Sequence, residues 1–119
     1  MASATAPTLS HLFMHVSDLD RARDFYTRVL GLRLLWEEPG YVRVGGEEGF
    51  HIGMEQRDAP EVGAPGIELV VRVPDVYDAY ERLYQMGVRF DAPPRPQEWG
   101  AVHAWFRDPD GHRLSIFST

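Results

Sequence analysis

Cysteine is absent from the 119-residue chain. That absence removes disulfides, thiolate metal ligands and cysteine nucleophiles together, and it fits a reducing, cytoplasmic setting. No apolar run approaches the ~20 residues needed to span a bilayer. Positive charge is scarce: 12 Lys plus Arg against 18 Asp plus Glu give a formal charge of −6. Such a balance disfavours nucleic acid and anionic membranes as partners and leaves small molecules open. Positions 1–10 lack a charged segment followed by an apolar core, so no secretory signal is expected there. Their Ala, Ser, Thr and Pro content predicts a flexible tail over residues 1–8.

Hydrophobic residues make up 44% of the chain and charged residues 25%, the balance of one soluble domain, expected over residues 9–118. Residues 11–16 read as a strand, followed by the helix-start pair Ser17-Asp18. Leu19, Ala22, Phe25, Tyr26, Val29 and Leu30 then recur at helical spacing up to Gly31. Three further strands are predicted at 32–36, 41–44 and 50–54, separated by Pro39-Gly40 and Gly45-Gly46 as in an antiparallel meander.

The second half repeats the programme. Residues 67–73 form a strand pattern, Asp75 caps a helix with Val76, Ala79, Leu83 and Met86 on one stripe, and Gly87 stops it. Strands are predicted at 88–90, 101–106 and 113–117, with a Pro-rich loop before the second and the turn Asp108-Pro109-Asp110-Gly111 before the third. The two caps lie 57 positions apart, and Leu19 and Ala22 fall on Val76 and Ala79. The chain is thus a βαβββ unit used twice, with module 1 at about 9–56 and module 2 at about 66–118.

Strand alternation sorts the side chains into two faces. Leu12, Met14 and Val16 are expected to meet the helices, as are Ile67, Leu69, Val71 and Val73. The opposite face collects His11, Phe13, His15, Tyr41, Arg43, His51, Glu68, Arg72, His103, Trp105, Arg113, Ser115 and Phe117. A pairing of Glu68 with Arg43 or Arg72 there is the alternative to a ligand role for that carboxylate. His112 is expected to be solvated in its turn, and Asp108 and Asp110 to act as turn formers.

His11-Leu12-Phe13-Met14-His15-Val16-Ser17-Asp18, continuing to Phe25-Tyr26 and Leu30-Gly31-Leu32, resembles the opening motif of the vicinal oxygen chelate superfamily. Trp99-Gly100 and Asp108-Pro109-Asp110-Gly111-His112-Arg113-Leu114 resemble its closing motif. The superfamily includes glyoxalase I, bleomycin-resistance proteins and extradiol dioxygenases. The resemblance implies an α+β fold in which two βαβββ modules curl into a cup-shaped mixed sheet with helices outside. It also implies a homodimer that shares its cups.

By that resemblance, metal ligands sit seven residues before each helix cap, at His11 and Glu68, and on the last strand of each module, at His51 and Ser115. Ser115 stands where a Glu is most typical, and a serine hydroxyl is a poor ligand. His11, His51 and Glu68 are then the expected ligands for Fe, Zn, Mn, Ni or Co. Such an ion would chelate vicinal oxygens of a small anionic substrate, with His15 or His103 as base. Arg43, Arg72 or Arg113 would neutralise the substrate. The alternative is a metal-free protein of the bleomycin-resistance type, holding a drug or metabolite against Phe13, Tyr41, Trp105 and Phe117. Ser115 favours that alternative; the His/His/Glu set favours the enzyme.

Overall fold

The computed structural model describes residues 7–46 and 48–119; residues 1–6, which hold most of the expected tail, lie outside the described residues. Two curved four-stranded mixed sheets and two helices make an α+β fold. Strand β1 (His11–Val16) leads into α1 (Leu19–Asp24), then β2 (Arg33–Glu38), β3 (Tyr41–Gly45) and β4 (His51–Gln56). The second unit runs β5 (Leu69–Arg72), α2 (Val76–Gln85), β6 (Arg95–Pro96), β7 (Val102–Arg107) and β8 (Arg113–Ser118). The sheets are ordered β1-β4-β3-β2 and β5-β8-β7-β6, and in each the first strand runs parallel to the last.

The helices start where the aspartates dictate. The Asp18 carboxylate accepts from the Arg21 N–H, and Asp75 accepts from the Tyr77 and Asp78 N–H groups. The first helix is not regular to its end. From Phe25 to Val29 it widens into a π-helical turn, closed by the Leu30 N–H on the Phe25 carbonyl at 2.8 Å. That turn carries Phe25, Tyr26 and Val29, all buried. Gly31 then leaves at φ 97°, a left-handed conformation that a side chain disfavours.

Two predicted strands differ from the structure. The one at 88–90 is not a strand: the Val88 N–H is taken by the Leu83 carbonyl at the end of α2, and only Phe90 bridges Phe106. The edge strand is instead β6, inside the Pro-rich loop. Its Pro96 lacks an N–H to donate, which an edge position tolerates. The strand expected at 67–73 is confined to Leu69–Arg72, with Ile67 exposed before it.

One core joins both modules. Phe106 is buried against the rings of Phe25 and Phe90, so the π-helical turn after α1 packs across to the second sheet. Polar ties reinforce the junction. The Tyr26 hydroxyl donates to Asp108 at 2.7 Å, the Ser17 hydroxyl and N–H donate to Asp110, and Arg82 donates to the Val29 carbonyl. His112 is not simply solvated: its Nε2–H donates to the His15 carbonyl at 2.7 Å. The Cα radius of gyration is 15.1 Å, against about 13.5 Å expected for a compact domain of this length. No helix among the described residues is long and apolar enough to cross a membrane.

Candidate functional site

The expected site residues divide between two half-sites, because the open face of each sheet carries its own set. On the first sheet, His11 and His51 are neighbours across the parallel β1–β4 pair, and Phe13 lies beside Gly53 one step further. Tyr41 and Arg43 come from β3. The Arg43 guanidinium donates through Nε and Nη2 to the Tyr41 oxygen, at 3.1 and 2.9 Å, and through Nη2 to His11 Nε2 at 3.3 Å. Arginine has no acceptor, so His11 Nε2 carries the lone pair. The His11 proton therefore sits on Nδ1, 2.8 Å from the Ser10 hydroxyl.

Gly53 makes this arrangement possible. A Cβ placed there would lie 2.3 Å from the Tyr41 hydroxyl oxygen, so any side chain would push that ring away. Leu35, Trp36, Glu38, Tyr41, Arg43 and His51 line a pocket of about 450 Å³ on this face.

On the second sheet Glu68 pairs with neither Arg43 nor Arg72. Its Oε2 accepts from the Ser115 hydroxyl at 2.8 Å and the Trp105 indole N–H at 3.1 Å, with Arg113 4.0 Å from Oε1. Since the Ser115 proton is given to Glu68, the Ser115 oxygen accepts from His103 Nε2–H at 3.0 Å. This places His103 in its Nε2–H tautomer and leaves buried Nδ1 with a lone pair and no partner. The His103 ring stacks on Trp105 at 4.6 Å and on Phe117 at 5.7 Å, and meets the Trp99 edge at 5.6 Å. Arg72 lies over the far ring, 5.2 Å from the Phe117 centroid. Trp105 and Arg113 line a second pocket of about 350 Å³ with Asp91, Pro93 and Arg95.

His15 stands apart from both clusters. It lies edge-on to Phe13 and lines a seam of about 490 Å³ between the modules, with Val62, Pro65, Ile67, His112 and Arg113.

The register also corrects the ligand positions. Phe13 faces Gly53 in module 1, and Val70 faces Ser115 in module 2. Phe13 and Val70 lie 57 positions apart, like the helix caps, so the equivalent of Ser115 is Gly53, not His51. His51 corresponds instead to Arg113. The four equivalent positions therefore hold His11, Gly53, Glu68 and Ser115, and two of them lack a metal-binding side chain.

The other two are engaged. The Nε2 lone pair of His11 faces the Arg43 cation, and one Glu68 oxygen already takes two hydrogen bonds. Within one copy of the chain, among the described residues, no three His, Asp or Glu side chains gather where one ion would reach them. The residues present do not fit a divalent metal held as His11, His51 and Glu68. The sequence does not reveal Gly53 at this position, because the second module carries five more residues before its last strand, which a single 57-residue offset hides.

Comparison with known proteins places this arrangement in a family. Residues 8–116 match the model of the Glyoxalase/Bleomycin resistance protein/Dioxygenase superfamily. The chain is 30% identical to a lactoylglutathione lyase of Escherichia coli O157:H7 over 121 aligned positions, covering 91% of this chain and 90% of that one. A superfamily member from Sphaerobacter thermophilus superposes with a TM-score of 0.79 at 27% identity, covering 96% of this chain and 98% of that one. The antibiotic-binding protein TnmS3 from Streptomyces does so with a TM-score of 0.79 at 26% identity, covering 96% and 97%. With two βαβββ units and both terminal motifs in place, this chain belongs to the glyoxalase/bleomycin-resistance/dioxygenase superfamily.

Proposed function

We propose that the chain is a metal-independent binding protein for a small planar molecule. The observation that carries this reading is the substitution of the chelating set by hydrogen-bonded side chains. Gly53 gives its space to Tyr41, and Ser115 bridges Glu68 to His103 instead of binding an ion. The part-exposed rings of Trp105 and Phe117, packed on buried His103, supply the apolar face that a flat ligand needs. A binding role is supported by TnmS3, a structural relative described as antibiotic-binding. Kinship to lactoylglutathione lyases supports the enzyme reading, in which His15 or His103 acts as base. His103 is only 7% exposed and its ring is walled by three aromatic side chains, which argues against that role.

Each half-site is shallow and open, and Phe13, Leu35 and Val70 are exposed large apolar side chains. A homodimer in which the first sheet of one copy faces the second sheet of the other would close both pockets. The test uses purified, untagged protein incubated with Fe, Zn, Mn, Ni or Co and then desalted. Metal is expected to stay well below one ion per chain. 1,4-Naphthoquinone is expected to quench tryptophan fluorescence saturably, and equally with and without a chelator. The chain has neither cysteine nor lysine, so the quinone has no thiol or lysine amine to arylate. Stoichiometric metal that is lost in His11→Ala would overturn the reading and restore the chelate enzyme.

A further inference from the structure

We propose that Arg43, Tyr41 and His11 form a receptor for an oxyanion, the carboxylate or phosphate group of the bound molecule. The inference deepens the metal-independent reading and rests on it for the planar body that carries the anion. Among the described residues no carboxylate lies within 4 Å of Arg43, whereas Arg21, Arg28 and Arg57 each pair with one and Arg23 with two. Every group that orients Arg43 is neutral: the Tyr41 oxygen twice and His11 Nε2 once. A half-buried guanidinium placed among neutral acceptors keeps its charge uncompensated.

The unused groups are all donors. Arg43 Nη1 has no partner within the described residues, and the Tyr41 oxygen spends its lone pairs on Arg43, leaving its O–H free to donate. These donors border the 450 Å³ pocket beside the Trp36 and Leu35 side chains. The two Nη1 hydrogens are left to donate to an oxyanion, and the Tyr41 O–H adds a third donor beside them. The acidic residue on the same pocket, Glu38, is held by the Trp36 indole N–H at 2.9 Å rather than by Arg43. The site thus takes over the His11 nitrogen that a metal would need, and Gly53 supplies the room in which Tyr41 sits.

Three probes test this: 2-naphthoate, its neutral isostere 2-naphthamide, and inorganic phosphate. Affinity is read by calorimetry and the arginine Nε–H signals by NMR. Wild-type protein is expected to prefer 2-naphthoate over 2-naphthamide by about 10–100-fold, the range of one charge-assisted pair. Phosphate is expected to shift the Arg43 signal. Arg43→Gln is expected to erase both effects while retaining 2-naphthamide binding, and Arg28→Gln, on the exposed helix, to change neither.

Equal binding of the two naphthyl probes with an unmoved Arg43 signal in phosphate would overturn the proposal. So would a preference that survives Arg43→Gln. Loss of all naphthyl binding with phosphate still acting at Arg43 would instead strike the planar-ligand reading and leave the anion site standing.

Discussion

Asp108→Ala lowers the thermal midpoint by about 10–25 °C, corresponding to a loss of about 3–5 kcal/mol. Asp108 is 6% exposed and serves four donors. Its Oδ1 accepts from the N–H groups of Asp110, Gly111 and His112, and its Oδ2 accepts from the Tyr26 hydroxyl. Alanine leaves three of them unpaired, the phenol among them in a dry interior, while the Gly111 N–H keeps the Asp108 backbone carbonyl. The turn so lost also holds Asp110 against Ser17 and Arg21, so the junction of the modules loosens with it. Asp108→Asn keeps an oxygen for the three N–H groups and is expected to cost markedly less. Differential scanning calorimetry of the two variants checks the ordering.

The same contact has an alkaline signature. Burial first, then the Asp108 charge and the hydrogen bond to it, raise the Tyr26 phenol well above its usual 10. The unfolded chain therefore releases this proton before the folded one does. The stabilisation is fully present below about pH 10 and is lost progressively as pH rises beyond it, at up to about 1.4 kcal/mol per pH unit. Tyr26→Phe is expected to be less stable by about 1.5–3 kcal/mol at pH 8, the loss of a bond to a charged acceptor. That gap is expected to narrow above pH 10. Urea unfolding from pH 8 to 11 measures it, and a gap that stays constant would show that Tyr26 ionises as freely in the fold as outside it.

Trp105→Ala weakens 1,4-naphthoquinone binding by about 30-fold or more, because an indole that packs on the ligand at a recognition surface is worth about 2 kcal/mol or above. The Trp105 ring lies parallel to His103, with 9° between their planes, and its N–H fixes Glu68. Truncation removes the flat surface and also one of the two hydrogen bonds on Glu68 Oε2. Trp105→Phe keeps a ring face and loses only the donor, so it is expected to fall between alanine and wild type. Calorimetry is the suitable measurement, since the substitution removes one of the three tryptophans that fluorescence would report. Unchanged affinity in Trp105→Ala would place the ligand elsewhere, with the inter-module seam beside His15 as the next location to examine.

Much of the architecture was legible in the sequence because it rests on local rules. The aspartate caps at Asp18 and Asp75, the left-handed glycines and the alternation along His11–Val16 each depend on a few adjacent residues. The repeat at 57 positions follows from them, and with the terminal motifs it identified the superfamily. The sequence also singled out the residues of both open faces, Arg43 and Trp105 included.

Tertiary structure decided what those residues touch. Pairing between strands set Gly53 opposite Phe13 and so made it, rather than His51, the partner position of Ser115. No local pattern encodes that register, because the modules differ in loop length before their last strands. Nor does alternation reveal that His11 turns its lone pair to Arg43, or that Glu68 closes on Ser115 and Trp105. A set of His and Glu side chains suggests a metal by type alone. Hydrogen bonds from side chains distant in sequence determine whether any lone pair is left for it, and here they direct those lone pairs to protein donors.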